Sequence, residues 1–371
     1  MTRIRHAAVA LAERRWIGNH GAMSGTGRRD ACGGMAVRCI RRVAILLGGV
    51  TATVCICALG ADLRPLDSFL ADAAQEIGPC ALSLSQHGVT IYEKAVGGFA
   101  LDQPLPIYSA TKWLSAAVMA CLADDALLSM DDPVARYFPA LDLGDVVMTI
   151  RHLFAHTSGL PDSVPDGICT DSMTLQGCAE ILSNLPVLTQ PGRVFAYGEV
   201  SMQIGGALAE IAGDALWHDL FTSYLAAPLG MLATDYEAFG ASTNPVIGGG
   251  ARSTVHDYLR FLTMLVSGGT ASGTRVLSEE SVAMILARQT LGAVGAPENG
   301  YGLGCWRERV DVVSDAALVA SSPGANGFTP WVDLGRGLVG VLAVDGDGAL
   351  VYPVFQRLLA LIEELLPVRQ D

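Results

Sequence analysis

Residues 108–122 run Tyr108-Ser109-Ala110-Thr111-Lys112-Trp113-Leu114-Ser115-Ala116-Ala117-Val118-Met119-Ala120-Cys121-Leu122. Beyond Lys112 the stretch is apolar or small on every side of a 3.6-residue period, which reads as a buried helix. After residue 60 the chain holds only one lysine besides Lys112, namely Lys94. Leaving water disfavours a charged amine, so a lysine in this setting needs a reason. Ser109 stands three residues before Lys112, which puts both side chains on one helix face. It also falls near the helix N-terminus, where backbone N–H groups favour negative charge. A desolvated lysine that is neutral near pH 7 can accept a proton from serine. The structural alternative is an N-cap serine followed by a lysine whose head reaches solvent.

On the N-terminal side, Pro65–Glu76 reads as a first helix. Cys80–Gln86 and Val89–Val96, separated by His87-Gly88, read as a hairpin. From Asp124 to Met231 the pattern is helices broken by Pro/Gly loops, with further helices over Thr254–Val266 and Glu279–Gln289. Strand patterns return at Tyr301–Glu308, Ala317–Val319, Thr329–Asp333 and Leu338–Asp345, before a last amphipathic helix from about Pro353 to Leu365. Strands at both ends with helices between predict an α+β fold. It would have three α/β/α layers, an antiparallel sheet built from N- and C-terminal segments, and a helical insert over about residues 124–300.

Composition narrows the function. The chain has 371 residues, 51% of them hydrophobic and 16% charged, enough apolar content for a sizeable core and too much for disorder. Its net charge of −13 argues against a nucleic-acid binder that tracks phosphates. The first 60 residues differ: they hold nine Arg and two acids, against 15 Lys+Arg and 35 Asp+Glu in the remainder, a net of −20. Arg38, Arg41 and Arg42 precede an apolar run from Val43 to Leu59, with small residues at Ala58 and Gly60. That pattern predicts a secretory signal over residues 35–60 cleaved after Gly60, or, if it stays uncleaved, a membrane anchor through 43–60. Met35 is the expected translation start, with 1–34 an upstream extension lacking a fold of its own and 61–371 the functional domain. Of nine cysteines four lie in the leader, and the scattered Cys80, Cys121, Cys169, Cys178 and Cys305 form no disulfide framework. Cys169 and Cys178 can close one loop in an oxidising compartment. No C-x-x-C occurs, and no Glu follows His152 in its i, i+4 pairing with His156, so no metal and no cofactor are expected.

Three further segments accompany the S-x-x-K of Ser109 and Lys112. They are Ile150-Arg151-His152-Leu153-Phe154-Ala155-His156-Thr157-Ser158-Gly159-Leu160-Pro161, Phe195-Ala196-Tyr197-Gly198-Glu199, and Ser322-Pro323-Gly324. In order and spacing, from about Leu66 to Leu366, the chain resembles the serine β-lactamase and penicillin-binding-protein superfamily. It is most similar to the class C-like branch of esterases and D-aminopeptidases. The resemblance implies a β-lactamase/transpeptidase-like fold with Ser109 as acylated nucleophile, Lys112 as general base and Tyr197 as proton carrier to the leaving group. The oxyanion hole would come from the N–H groups of Ser109 and Ala325. Substrate would be met by Glu199, Ser322, Gly324 and Trp331, with Trp331 equally placed to be core.

Two positions depart from the pattern. Glu199 stands where the branch carries the Asn of Y-x-N, and Ser322 stands where it carries Lys or His. Glu199 near Lys112 would favour the charged amine, and without a cation at 322 a substrate carboxylate loses its partner. These changes argue against an efficient β-lactamase or D,D-carboxypeptidase. They favour a secreted serine hydrolase acting on a small-molecule ester or amide, without nucleic-acid partners. The alternative from another class is a degenerate member that binds a ligand without turnover.

Overall fold

A computed structural model describes residues 61–170 and 172–368, so the expected leader over 1–60 lies outside the described residues. Six strands form one antiparallel sheet: β1 (Cys80–Gln86), β2 (Val89–Val96), β3 (Trp306–Val310), β4 (Ala317–Ser321), β5 (Thr329–Asp333) and β6 (Leu338–Val344). Their spatial order is β2-β1-β6-β5-β4-β3, so the first and last strands of the chain lie side by side, with Leu82 opposite Leu342. The hairpin expected around His87-Gly88 is present. Its two turn residues take φ of 51° and 78°, the positive pair that a two-residue hairpin turn needs to match strand twist.

Alternate residues of the central strands serve different cores, as the two-residue period of a strand dictates. Leu82, Leu342, Val344, Val319 and Trp331 pack with helices α1 (Pro65–Ile77) and, at the C-terminus, Gly348–Leu365. Ala81, Val339, Val341, Ala343 and Val332 face the larger helical lobe. That lobe holds α2 (Thr111–Asp124), α3 (Ile150–Phe154), α4 (Leu175–Ser183), α5 (Val200–Gly213), α6 (Val255–Val266) and α7 (Glu279–Leu286), and the C-terminal helix is α8. Every residue of α2 from Thr111 to Leu122 is buried, as its composition predicts.

Several boundaries differ from expectation for identifiable reasons. α8 starts at Gly348, five residues before Pro353, because the Asp347 side chain accepts the Ala349 N–H at 2.9 Å and caps the helix earlier; Pro353 sits inside it. The strand expected from Tyr301 starts at Trp306, because the chain turns at Gly304 (φ 71°) and passes against α2: a Cβ there would stand 2.3 Å from the Lys112 carbonyl oxygen. α7 ends at Leu286, not Gln289. Cys169 and Cys178 are joined in a disulfide, their Cα atoms 5.2 Å apart. Among the described residues no helix is long and apolar enough to cross a membrane, and no cluster of His, Cys, Asp and Glu is arranged to hold a metal. His152 instead closes a capping box with Thr149 at the start of α3.

Candidate active site

The chain enters the site through Leu105–Pro106, which pairs with Arg252–Ser253, and then through a single turn at Tyr108–Ala110 that leads into α2. Ser109 therefore sits on a separate turn just before the helix, not within it as expected. Tyr108 holds φ at 45°, a left-handed conformation that is costly for a bulky residue and persists only where neighbours enforce it. The neighbours are identifiable. Ile107 N–H donates to Ala251 O (3.0 Å), the Tyr258 hydroxyl donates to Ala110 O (2.7 Å), and the Asn326 amide donates to Pro106 O (2.8 Å). Ser109 is 3% exposed.

Lys112 is fully buried, with Nζ 3.2 Å from Ser109 Oγ and 2.9 Å from the Gly248 carbonyl oxygen that accepts from it. Gly248 belongs to the run Gly248-Gly249-Gly250, and a Cβ at 248 would lie 3.3 Å from Nζ. The missing side chain leaves this backbone able to approach the amine closely. The same amine lies 4.7 Å from the centroid of the Tyr197 ring.

Tyr197 is placed by the segment that follows α3. Ala196 N–H donates to His156 O (2.8 Å), Gly198 N–H donates to His156 Nδ1 (3.4 Å), and Glu199 N–H donates to Asp162 O (2.7 Å). The His156 ring lies 4.5 Å from the Tyr197 ring, and Trp306 and Tyr301 close the far side at 5.3 and 6.0 Å. Complete burial, and then the charge of Lys112, hold the His156 imidazole well below its ordinary value, so it is neutral at pH 7. Since Nδ1 accepts a bond, the ring proton is assigned to Nε2. Glu199 is 1% exposed and precedes the first residue of α5, so its side chain is not turned to solvent.

The end of β4 completes the arrangement. Ser322 is 2% exposed, and its hydroxyl donates toward Ser109 O (3.2 Å) and Gly304 O (3.0 Å). Gly324 packs so tightly on the nucleophile turn that a Cβ would stand 2.3 Å from Ile107 O, while its N–H donates to Phe328 O (2.8 Å). Among the described residues the Ala325 N–H has no acceptor, and Ala325 is part-exposed.

Two substrate-contact expectations are corrected here. Trp331 is core: it is fully buried, its ring lies across Gly340 of β6, and its centroid is 5.3 Å from that of Phe355 on α8. Ser322 turns its hydroxyl to backbone, not to a cleft. Conversely, the Gly248 carbonyl, Tyr258 and Asn326 shape the site without having been expected there. The Gly248-Gly249-Gly250 run is the sequence feature that marks the first of them.

A terminal-strand antiparallel sheet with two terminal helices on one face, a helical lobe on the other and a buried serine–lysine pair at their junction defines the β-lactamase/transpeptidase class of fold. The chain belongs to the beta-lactamase family, whose model matches residues 70–361. A crystal structure of a candidate beta-lactamase from Bacteroides dorei aligns with a TM-score of 0.72 at 32% identity, over 81% of this chain and 98% of that one. The D-alanyl-D-alanine-carboxypeptidase/endopeptidase AmpH of Escherichia coli is 28% identical over 193 residues, 45% of this chain and 50% of AmpH. Esterase EstB of Burkholderia gladioli is 26% identical over 195 residues, 45% of this chain and 49% of EstB. The chain thus spans about half the length of these two relatives. The family is one of hydrolases that includes esterases and penicillin-binding-protein-like members.

Proposed function

We propose that the protein is an extracytoplasmic serine hydrolase that opens an ester or a neutral amide through an acyl-enzyme. The observation that carries this is the buried pair itself, Ser109 Oγ and Lys112 Nζ at 3.2 Å with the amine anchored on Gly248 O. Ser109 Oγ attacks the substrate carbonyl carbon while its proton passes to Lys112 Nζ. The carbonyl oxygen, now anionic, is received by the N–H groups of Ser109 and Ala325. Collapse expels the alcohol or amine, which takes a proton by way of Tyr197. Water then attacks the acyl-serine and regenerates the hydroxyl.

The departures shape the substrate. With Ser322 in place of a basic residue and its hydroxyl engaged by backbone, nothing at that position meets a carboxylate beside the scissile bond. That favours esters and neutral amides over β-lactams and D,D-peptides. The Cys169–Cys178 disulfide agrees with an oxidising compartment and therefore with export by the basic-then-apolar leader.

A fluorophosphonate probe, which phosphonylates activated serines with loss of fluoride, should label the protein, and Ser109→Ala should abolish both labelling and the hydrolysis of p-nitrophenyl acetate. In a panel of short acyl esters, D-amino-acid amides and a chromogenic cephalosporin, esters should be turned over fastest. Labelling that persists in Ser109→Ala refutes the nucleophile assignment, and rapid cephalosporin turnover refutes the substrate class.

A further inference from the structure

The residue that replaces a cation at position 322 has a task that the chain's own geometry defines. β4 ends at Ser321, yet Ser322 N–H still donates to Pro330 O (3.2 Å), so Ser322 remains tied to the sheet. Its hydroxyl reaches the carbonyl of the nucleophile residue itself, and with the same atom the carbonyl of Gly304. A serine hydroxyl has one proton, so the two carbonyls share it in a three-centre bond. Both acceptors belong to segments that hold the reacting pair: Ser109 directly, and Gly304 through its close approach to the Lys112 backbone. Gly324 on Ile107 and Asn326 on Pro106 extend the same seam along the turn.

Resting on the hydrolase reading above, we infer that Ser322 is a positioning residue, the fastener that sets the spacing between the two oxyanion donors. One donor, Ser109 N–H, is on the nucleophile turn, and the other, Ala325 N–H, follows Ser322 by three residues on the β4 exit. Ser322 Oγ bonds the carbonyl of the nucleophile residue itself from the strand exit, and Asn326 Nδ2 bonds Pro106 O at the start of the turn. Donors aimed at a developing oxyanion must be held to within about 0.5 Å, and a 1 Å misplacement costs roughly 10²-fold in rate. The side chain that elsewhere in the superfamily pattern is basic is here spent on the enzyme's own backbone.

The test compares the full chain with Ser322→Ala and Ser322→Cys, the latter filling the same space with a weaker donor. Both should lower kcat for p-nitrophenyl acetate by about 10–100-fold with KM held within about two-fold, and slow fluorophosphonate labelling to match. Amide hydrogen exchange should rise across 106–112 in both variants while peptides from α1 stay unchanged. An effect confined to KM would make Ser322 a substrate contact and overturn the inference. Unaltered kcat and unaltered exchange in the cysteine variant would overturn it equally. The exchange measurement needs no turnover. An inert wild type therefore sinks the hydrolase reading, and the exchange comparison still decides whether Ser322 fastens the turn.

Discussion

Lys112 shows how one residue's surroundings define its chemistry. Its amine is enclosed by an apolar helix, by the Tyr197 ring and by a glycine carbonyl, and it reaches no solvent. Removing one member of a buried polar cluster deprives its partners, here the Gly248 carbonyl and the buried Ser109 hydroxyl, of a hydrogen bond and is destabilising. Loss of a general base costs about 10²–10⁴ in rate. Lys112→Met should therefore lower ester hydrolysis by about that factor and also lower the melting temperature, with the circular-dichroism spectrum still native. A variant that retains turnover within about three-fold of wild type would remove Lys112 from the mechanism. The pairing was legible in sequence because three-residue spacing and apolar context are local facts. What faces Lys112 was not, because Gly248 lies 136 residues away and contributes only its backbone.

At the scale of elements, the 156–162 loop is a mould for the loop stretch 196–199. Three backbone N–H groups of that stretch bond to His156 and Asp162, and the fit leaves no space: a Cβ on Gly198 would lie 1.9 Å from Asp162 O and 2.5 Å from the carbonyl carbon. Those are backbone atoms, so the 196–199 stretch must give way, carrying Tyr197 with it. Gly198→Ala should lower kcat by about 10²-fold, comparable to a 1 Å displacement of a catalytic group, and destabilise by about 1–3 kcal/mol, as overpacking does. Steady-state kinetics with a melting curve checks both, and an unshifted kcat would show that Tyr197 is not positioned this way. The two motifs could be recognised separately in the sequence, but not their interlock, since no periodicity encodes which loop folds over which. Local punctuation was more informative where it acted alone. The His87-Gly88 turn set both hairpin strands to the residue, whereas Pro353 misplaced the start of α8 because the Asp347 cap outweighed it.

At the scale of the whole molecule, the helical lobe must stay seated on a sheet in which the neighbours β1 and β6 come from opposite ends of the chain. Across one seam His256 of α6 bonds by Nδ1 to Asp102 and by Nε2 to Glu93 of β2 (2.7 Å), and Ser83 of β1 donates to the same Glu93 carboxylate (3.0 Å). Burial alone would lower the His256 pKa, but hydrogen bonds to Glu93 and Asp102, together with their charges, outweigh it and raise it above 6.5. Both ring nitrogens donate to carboxylates, so the seam is strongest when the imidazole is charged. A folded pKa above the unfolded one gives stability that is fully present below the unfolded value of 6.5 and fades as pH rises through the folded one. The side chain is 37% exposed, so solvent and salt weaken the effect. Melting temperatures taken from pH 5.5 to 9 should therefore show the wild type gaining over His256→Gln at the acid end, with the gap closing toward pH 9 and shrinking in high salt. Parallel profiles for the two proteins would mean that the seam carries no proton-linked stability and that the lobe is held on the sheet by its apolar face alone.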